Sequence, residues 1–234
     1  MIKGIQIEIC IGNVQDGLIA SKYPIDRIEL NSALELGGLS SSIETLKYLK
    51  SNINKKICCM IRPRGGDFNY TDLEFEIMMS DAKNMLENGA DGIVFGFLNS
   101  DNTIDKDKTS KMSKLIHSYN KEAIFHKAFD EIDDLDLAIK QLIDLKINRI
   151  LTSGKAEYPN IIEGCERLKI LNNKYSDKIE ILPGGGVRVD NIVDVLKVSN
   201  CKQIHMTSKM NNPNGYLQLD EKQLIQLLNK LETI

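Results

Sequence analysis

Apolar residues recur along the chain in two alternating rhythms: short period-two runs, then longer stretches with the 3.6-residue spacing of a helix. Ile5 to Cys10, Asp26 to Leu30, Ile57 to Ile61, Gly92 to Phe95, Ala123 to His126, Arg149 to Leu151, Ile179 to Leu182 and Gln203 to Met206 read as strands. Between them, Val14 to Lys22, Ser42 to Ser51, Asp105 to Tyr119, Asp133 to Leu145, Glu163 to Tyr175 and Asp190 to Val198 read as helices, and Glu221 to Leu231 closes the series. One further helix opens at Thr71, where Glu74 completes a capping box; Phe75, Met78, Met79, Ala82 and Leu86 mark its buried face, and Gly89 ends it. Those methionines are core, not metal ligands. Connections are short, no linker or low-complexity tract interrupts them, and Asn211 to Gly215 (NNPNG) reads as a mobile loop.

Eight strand–helix pairs in 234 residues predict an α/β fold of the TIM (β/α)8 barrel type, with residues 1–234 forming one domain. Alternation places Gln6, Glu8 and Cys10 on one face of the first strand, and Arg27, Glu29 and Asn31 on one face of the second. If those faces point inward, the barrel carries a charged upper layer.

Barrel chemistry gathers at the C-terminal ends of the strands, and polar residues gather there in this chain. Glu8 ends the first strand and Glu29 the second. The third delivers Met60 to Phe68, MIRPRGGDF, whose Arg62 and Arg64 present donor forks for a carboxylate or phosphate while Gly65 and Gly66 let Asp67 fold back toward them. His126 with Asp130 follows the fifth strand, Thr152-Ser153-Gly154 the sixth, and His205 the eighth. After the seventh, Gly184, Gly185 and Gly186 suit an anion nest, or simply a tight strand-to-helix turn. His126 and His205 are candidate general acids or bases together with Glu8 and Glu29. His117 reads as surface, and Lys127, one residue after His126, is expected to point away from it. The structural alternative is that Glu8, Glu29, Arg27 and Arg62 neutralise one another and merely hold the strands. No GxSxG, HExxH or Walker motif is present.

Composition narrows the partners. With net charge −3 and pI near 5.7, the chain has no general basic face for nucleic acid. It has neither a signal h-region nor a stretch near 20 apolar residues, so a cytoplasmic protein without membrane attachment is expected. Five cysteines, an odd number without CxxC, predict free thiols, and Cys58 and Cys59 face opposite sides of their strand.

IEIC (Ile7 to Cys10), DRIEL (Asp26 to Leu30), Gly37-Gly38, MIRPRGGDF, DGIVFG (Asp91 to Gly96), HKAFD (His126 to Asp130), RILTSG (Arg149 to Gly154) and PGGGV (Pro183 to Val187), in that order, resemble the copper homeostasis protein CutC family over about residues 5 to 208. The resemblance implies a cytoplasmic TIM barrel, a homo-oligomer (dimer or tetramer), and a rim cavity lined by Glu8, Glu29, Arg62, Arg64, Asp67, His126, Asp130 and His205. It also implies copper(I) binding, with Cys10 as the thiolate. Two positions depart from the pattern: Asn31 stands where a second cysteine is usual, leaving one assured thiolate, and Lys127 stands where arginine is usual. Three functions follow as expectations: copper handling through Cys10; an enzyme acting on a small phosphorylated or carboxylated anion through Arg62, Arg64, Ser153 and the glycine nest; or an oligomeric scaffold with a structural rim.

Overall fold

A computed structural model describes residues 1–234. Eight parallel strands, β1 (Gln6–Ile11), β2 (Arg27–Leu30), β3 (Lys56–Met60), β4 (Gly92–Phe95), β5 (Glu122–Phe125), β6 (Arg149–Thr152), β7 (Glu180–Pro183) and β8 (Gln203–Met206), pair in the order β7-β6-β5-β4-β3-β2-β1-β8. The helices between and after them are α1 (Val14–Ala20), α2 (Ile43–Asn52), α3 (Asp72–Glu87), α4 (Lys106–Ser118), α5 (Leu135–Asp144), α6 (Cys165–Tyr175), α7 (Ile192–Ser199) and α8 (Glu221–Leu231). This is the TIM barrel expected from the alternation. No ladder joins β7 to β8. The Gln203 side chain bridges that seam, its amide nitrogen 3.3 Å from both the Ile181 carbonyl and Glu180 Oε2. No helix is long and apolar enough to cross a membrane.

Helix starts follow the capping residues. Asn13, Ser42, Thr71, Asp105, Asp134 and Asp220 each accept a first-turn backbone N–H, and Thr71 with Glu74 forms the full capping box. Two expectations shift. Ile161–Gly164 forms a 3-10 turn, so α6 begins at Cys165 rather than Glu163. NNPNG is no free loop: it turns an antiparallel hairpin of β9 (Lys209–Asn211) and β10 (Leu217–Leu219), closed where the Asn212 N–H donates to the Tyr216 carbonyl at 2.8 Å.

Period-two alternation sorts each strand between two environments. Ile7, Ile9, Ile11, Ile28, Leu30, Ile93, Phe95 and Phe125 are buried in the large core between sheet and helices. Each such side chain contributes on the order of 2 kcal/mol by leaving water. Cys58, Met60, Val94 and Ile124 form a separate small apolar cluster on β3, β4 and β5; Cys59 belongs to the outer core, so the adjacent cysteines do face opposite ways, and all five thiols are free. The remaining strands carry the polar groups of the interior, alongside Leu151 and Leu182. Near the strands' N-terminal ends, Arg27 donates to Glu8 (2.8 Å), Gln6 (2.8 Å) and Gln203 (2.8 Å), and Arg149 donates to Glu122 (2.9 Å) and Glu180 (2.6 Å). These two arginines close that end of the barrel.

Candidate functional site

At the opposite end, the strand termini and following loops surround a cavity of about 200 Å³. Its inner wall is made by β1 and β2, whose register sets Cys10 beside Glu29. Asn31 completes this wall: its amide donates to Glu29 Oε2 at 2.8 Å and to Cys10 Sγ at 3.3 Å. On the other side of β1, β8 pairs Glu8 with His205. The His205 Nδ1–H donates to Glu8 Oε1 at 2.9 Å, leaving Nε2 3.9 Å from Glu29 Oε2.

Electrostatics divides these groups. Burial alone would raise Glu8, but the His205 hydrogen bond and the Arg27 charge hold its carboxyl well below the usual range. Burial likewise disfavours a charged His205, yet Glu29 and Glu8 raise it. Glu29 is raised by burial and by the Glu8 charge, and the Cys10 thiol by burial and Glu29. Ligand atoms of Cys10, Glu29 and His205 all lie within 4.8 Å of one another. A thiol, a carboxyl and an imidazole at that separation can converge on one ion, with a proton displaced from sulfur on binding.

The outer wall is cationic. Arg62 is buried and donates to the carbonyls of Leu36 (3.2 Å), Gly38 (3.4 Å) and Gly66 (2.8 Å), with its guanidinium 4.9 Å from the Phe68 ring centre. It meets no carboxylate, so the mutual neutralisation considered above holds for Glu8 with Arg27 but leaves Arg62 out. His126 packs 4.8 Å from Phe68 and accepts the Ala128 N–H at Nδ1 (3.1 Å). Burial and Arg62 push it down to about 3, so the ring is neutral at pH 7 rather than titrating near neutrality. Gly96 makes room for it, since a Cβ there would lie 2.5 Å from His126 Cε1.

Of the residues singled out from sequence, Cys10, Glu29, Arg62, His126, His205, Gly185 and Gly186 share the cavity lining. Glu8 lies beneath, in contact with His205. Others fall elsewhere. Arg64 turns outward to Glu74 (2.6 Å) and Asp67 (3.1 Å), with Asp67 mostly exposed. The Pro63 to Gly66 bend takes the second guanidinium out of the strand's register. Asp130 is tied to Thr152 and Ser153, accepting both the Ser153 N–H and its hydroxyl at 2.9 Å, and so fixes the turn after β6. Gly184 packs against Leu151 and His205: a Cβ would come within 2.5 Å of Leu151.

Arg188 and Lys209, which sequence reasoning passed over, also line the mouth, and so does Lys127. Lys127 does not point away, because Lys127–Glu131 is a 3-10 turn in which strand alternation no longer applies. PGGGV directly preceding Arg188 was the available signal for that residue.

Comparison with known proteins adds three findings. The CutC family model matches residues 5–210. The chain is 41% identical over 207 residues to the family protein CutC of Treponema denticola (88% of this chain, 82% of that one), and 34% identical over 212 residues to the human copper homeostasis protein cutC homolog (91% and 76%). The crystal structure of CutC from Streptococcus agalactiae superposes with a TM-score of 0.80 at 35% identity, covering 86% of this chain and 97% of that one. Phosphoribosylanthranilate isomerase from Thermotoga maritima, at 10% identity and a TM-score of 0.61, shares the barrel fold alone.

Proposed function

The chain belongs to the CutC family, and from that membership we propose that it serves copper homeostasis in the cytoplasm by taking copper(I) as cargo at the inner wall, between Cys10 and His205. The observation that carries this reading is the convergence of Cys10, Glu29 and His205 within 4.8 Å at buried positions. Copper(I) favours thiolate and accepts imidazole, and Glu29 supplies compensating charge. Asn31 in place of a second cysteine adds no soft donor; its amide orients the one thiol present. The copper site is therefore weaker than a two-thiolate site and suited to exchange rather than storage. Five unpaired thiols accord with a reducing compartment.

Anaerobic titration of the purified protein with copper(I), read by competition with a chromophoric copper(I) chelator, tests the reading. One equivalent is expected, weakened at least about tenfold, or ~1.4 kcal/mol, in Cys10→Ser. Unchanged stoichiometry and affinity in that variant would remove Cys10 from any copper function.

A further inference from the structure

The cavity carries more unsatisfied polarity than one metal ion would use. Arg62, Lys127, Arg188 and Lys209 line it, and the only carboxylate oxygen within 4.0 Å of any of them is Asp130 Oδ2, 3.9 Å from Lys127 Nζ. Arg188 is held by its neighbour's carbonyl and by the Tyr158 hydroxyl, both at 2.7 Å, so its charge is also uncompensated. Four cations around one small mouth repel each other and favour an anion between them.

The loop after β7 points to what they receive. The backbone N–H groups of Gly185, Gly186 and Val187 donate to no acceptor in the fold, although all three residues line the cavity. Gly185 and Gly186 take φ of +93° and +123°, and a Cβ on Gly186 would lie 2.2 Å from the Pro159 carbonyl oxygen. The glycines are thus needed for the loop's shape, and that shape leaves three consecutive amides unpaired at the cavity lining, the groups from which an anion nest is built. Lys127 Nζ lies 2.9 Å from where a Gly185 Cβ would stand, which places an ammonium group beside the nest.

Deeper in, Glu29 Oε1, Asn31 Oδ1, Arg62 Nε and His126 Nε2 are buried without hydrogen-bond partners, and their four residues all line this cavity. Because His126 Nδ1 accepts from Ala128, the neutral ring carries its proton on Nε2. Arg62 and His126 therefore offer donors, and Asn31 an acceptor, to something with oxygens and hydroxyls. Leaving such groups unpaired costs stability, so their concentration in one place marks a site.

We propose that the mouth binds a small hydroxylated phosphomonoester. Its phosphate meets the Gly185 to Val187 amides, Lys127 and Arg188, and its hydroxylated end meets Asn31, Arg62 and His126. A volume near 200 Å³ limits the ligand to a small metabolite. A carboxylate would draw on the same cations, but a tetrahedral dianion makes fuller use of three consecutive amides. The proposal does not depend on copper, because it uses neither Cys10 nor His205.

Isothermal titration of the full chain with inorganic phosphate, ribose 5-phosphate, ribose and ribonate tests it. Saturable binding is expected for both phosphates, tighter for ribose 5-phosphate, with ribose silent and ribonate at least tenfold weaker than ribose 5-phosphate. Lys127→Ala combined with Arg188→Ala should weaken phosphate binding at least thirtyfold at an unchanged melting temperature. No saturable binding of either phosphate, or undiminished binding in the double variant, would overturn the site. Ribonate binding as tightly as ribose 5-phosphate would overturn its assignment to phosphate.

Discussion

Asp91 shows how much one carboxylate can organise away from the cavity. It sits just before β4, accepts the Ile57 N–H at 2.9 Å, and pairs with Lys50 of α2 at 2.8 Å and Lys121 at 3.3 Å. Burial acts to raise it, but Lys50, the Ile57 amide and Lys121 hold it below its ordinary value. A depressed folded-state pKa stabilises the fold above the unfolded value of about 3.9, and that contribution disappears as pH falls through the folded value. Asp91→Asn is therefore expected to cost about 1–2 kcal/mol at pH 7, with the gap to the parent closing below about pH 4; urea midpoints across pH measure it. An equal gap at pH 3 and pH 7 would show that the loss is packing rather than charge. At this scale sequence reading had mixed success. Strand alternation led to Glu8, Cys10, Glu29 and His205, which the structure does gather. It failed where the backbone leaves the strand, sending Arg64 outward and bringing Lys127 in, because a 3-10 turn or a proline–diglycine bend changes side-chain direction without changing composition.

Elements were read more reliably than single residues. Helices and strands depend on patterns spread over many positions, and caps such as Thr71 act locally. Thr71→Ala removes the side-chain half of the capping box at the start of α3, where the hydroxyl accepts the Glu74 N–H and Glu74 in turn accepts from Thr71 and Arg64. A loss of about 1 kcal/mol is expected in the denaturation midpoint, without change in the copper titration, since α3 supplies no residue to the cavity. The hairpin β9–β10 escaped sequence reading because three-residue strands carry almost no period, and Asn and Gly dominate between them. Lys209, its first residue, lines the mouth.

At the scale of the whole molecule, the barrel separates a sealed end from an open one. Arg149 is buried, and its charge is held by Glu122 and Glu180 from the neighbouring strands β5 and β7. Arg149→Met should destabilise the fold by about 3 kcal/mol, the lower part of the range for breaking a buried ion pair, because both carboxylates can regain water. Copper affinity should remain within twofold; a tenfold fall would mean that the two ends of the barrel are coupled.

The β7–β8 seam separates the Gly185 to Arg188 loop from His205 and Lys209, so the two banks of the mouth belong to strands without a shared backbone ladder. Whatever bridges those banks must resist their parting, and by mass action their parting must weaken its hold. A ligand that spans both banks would therefore tie them together at the mouth, as the Gln203 amide ties β8 to β7 at the far end of the seam.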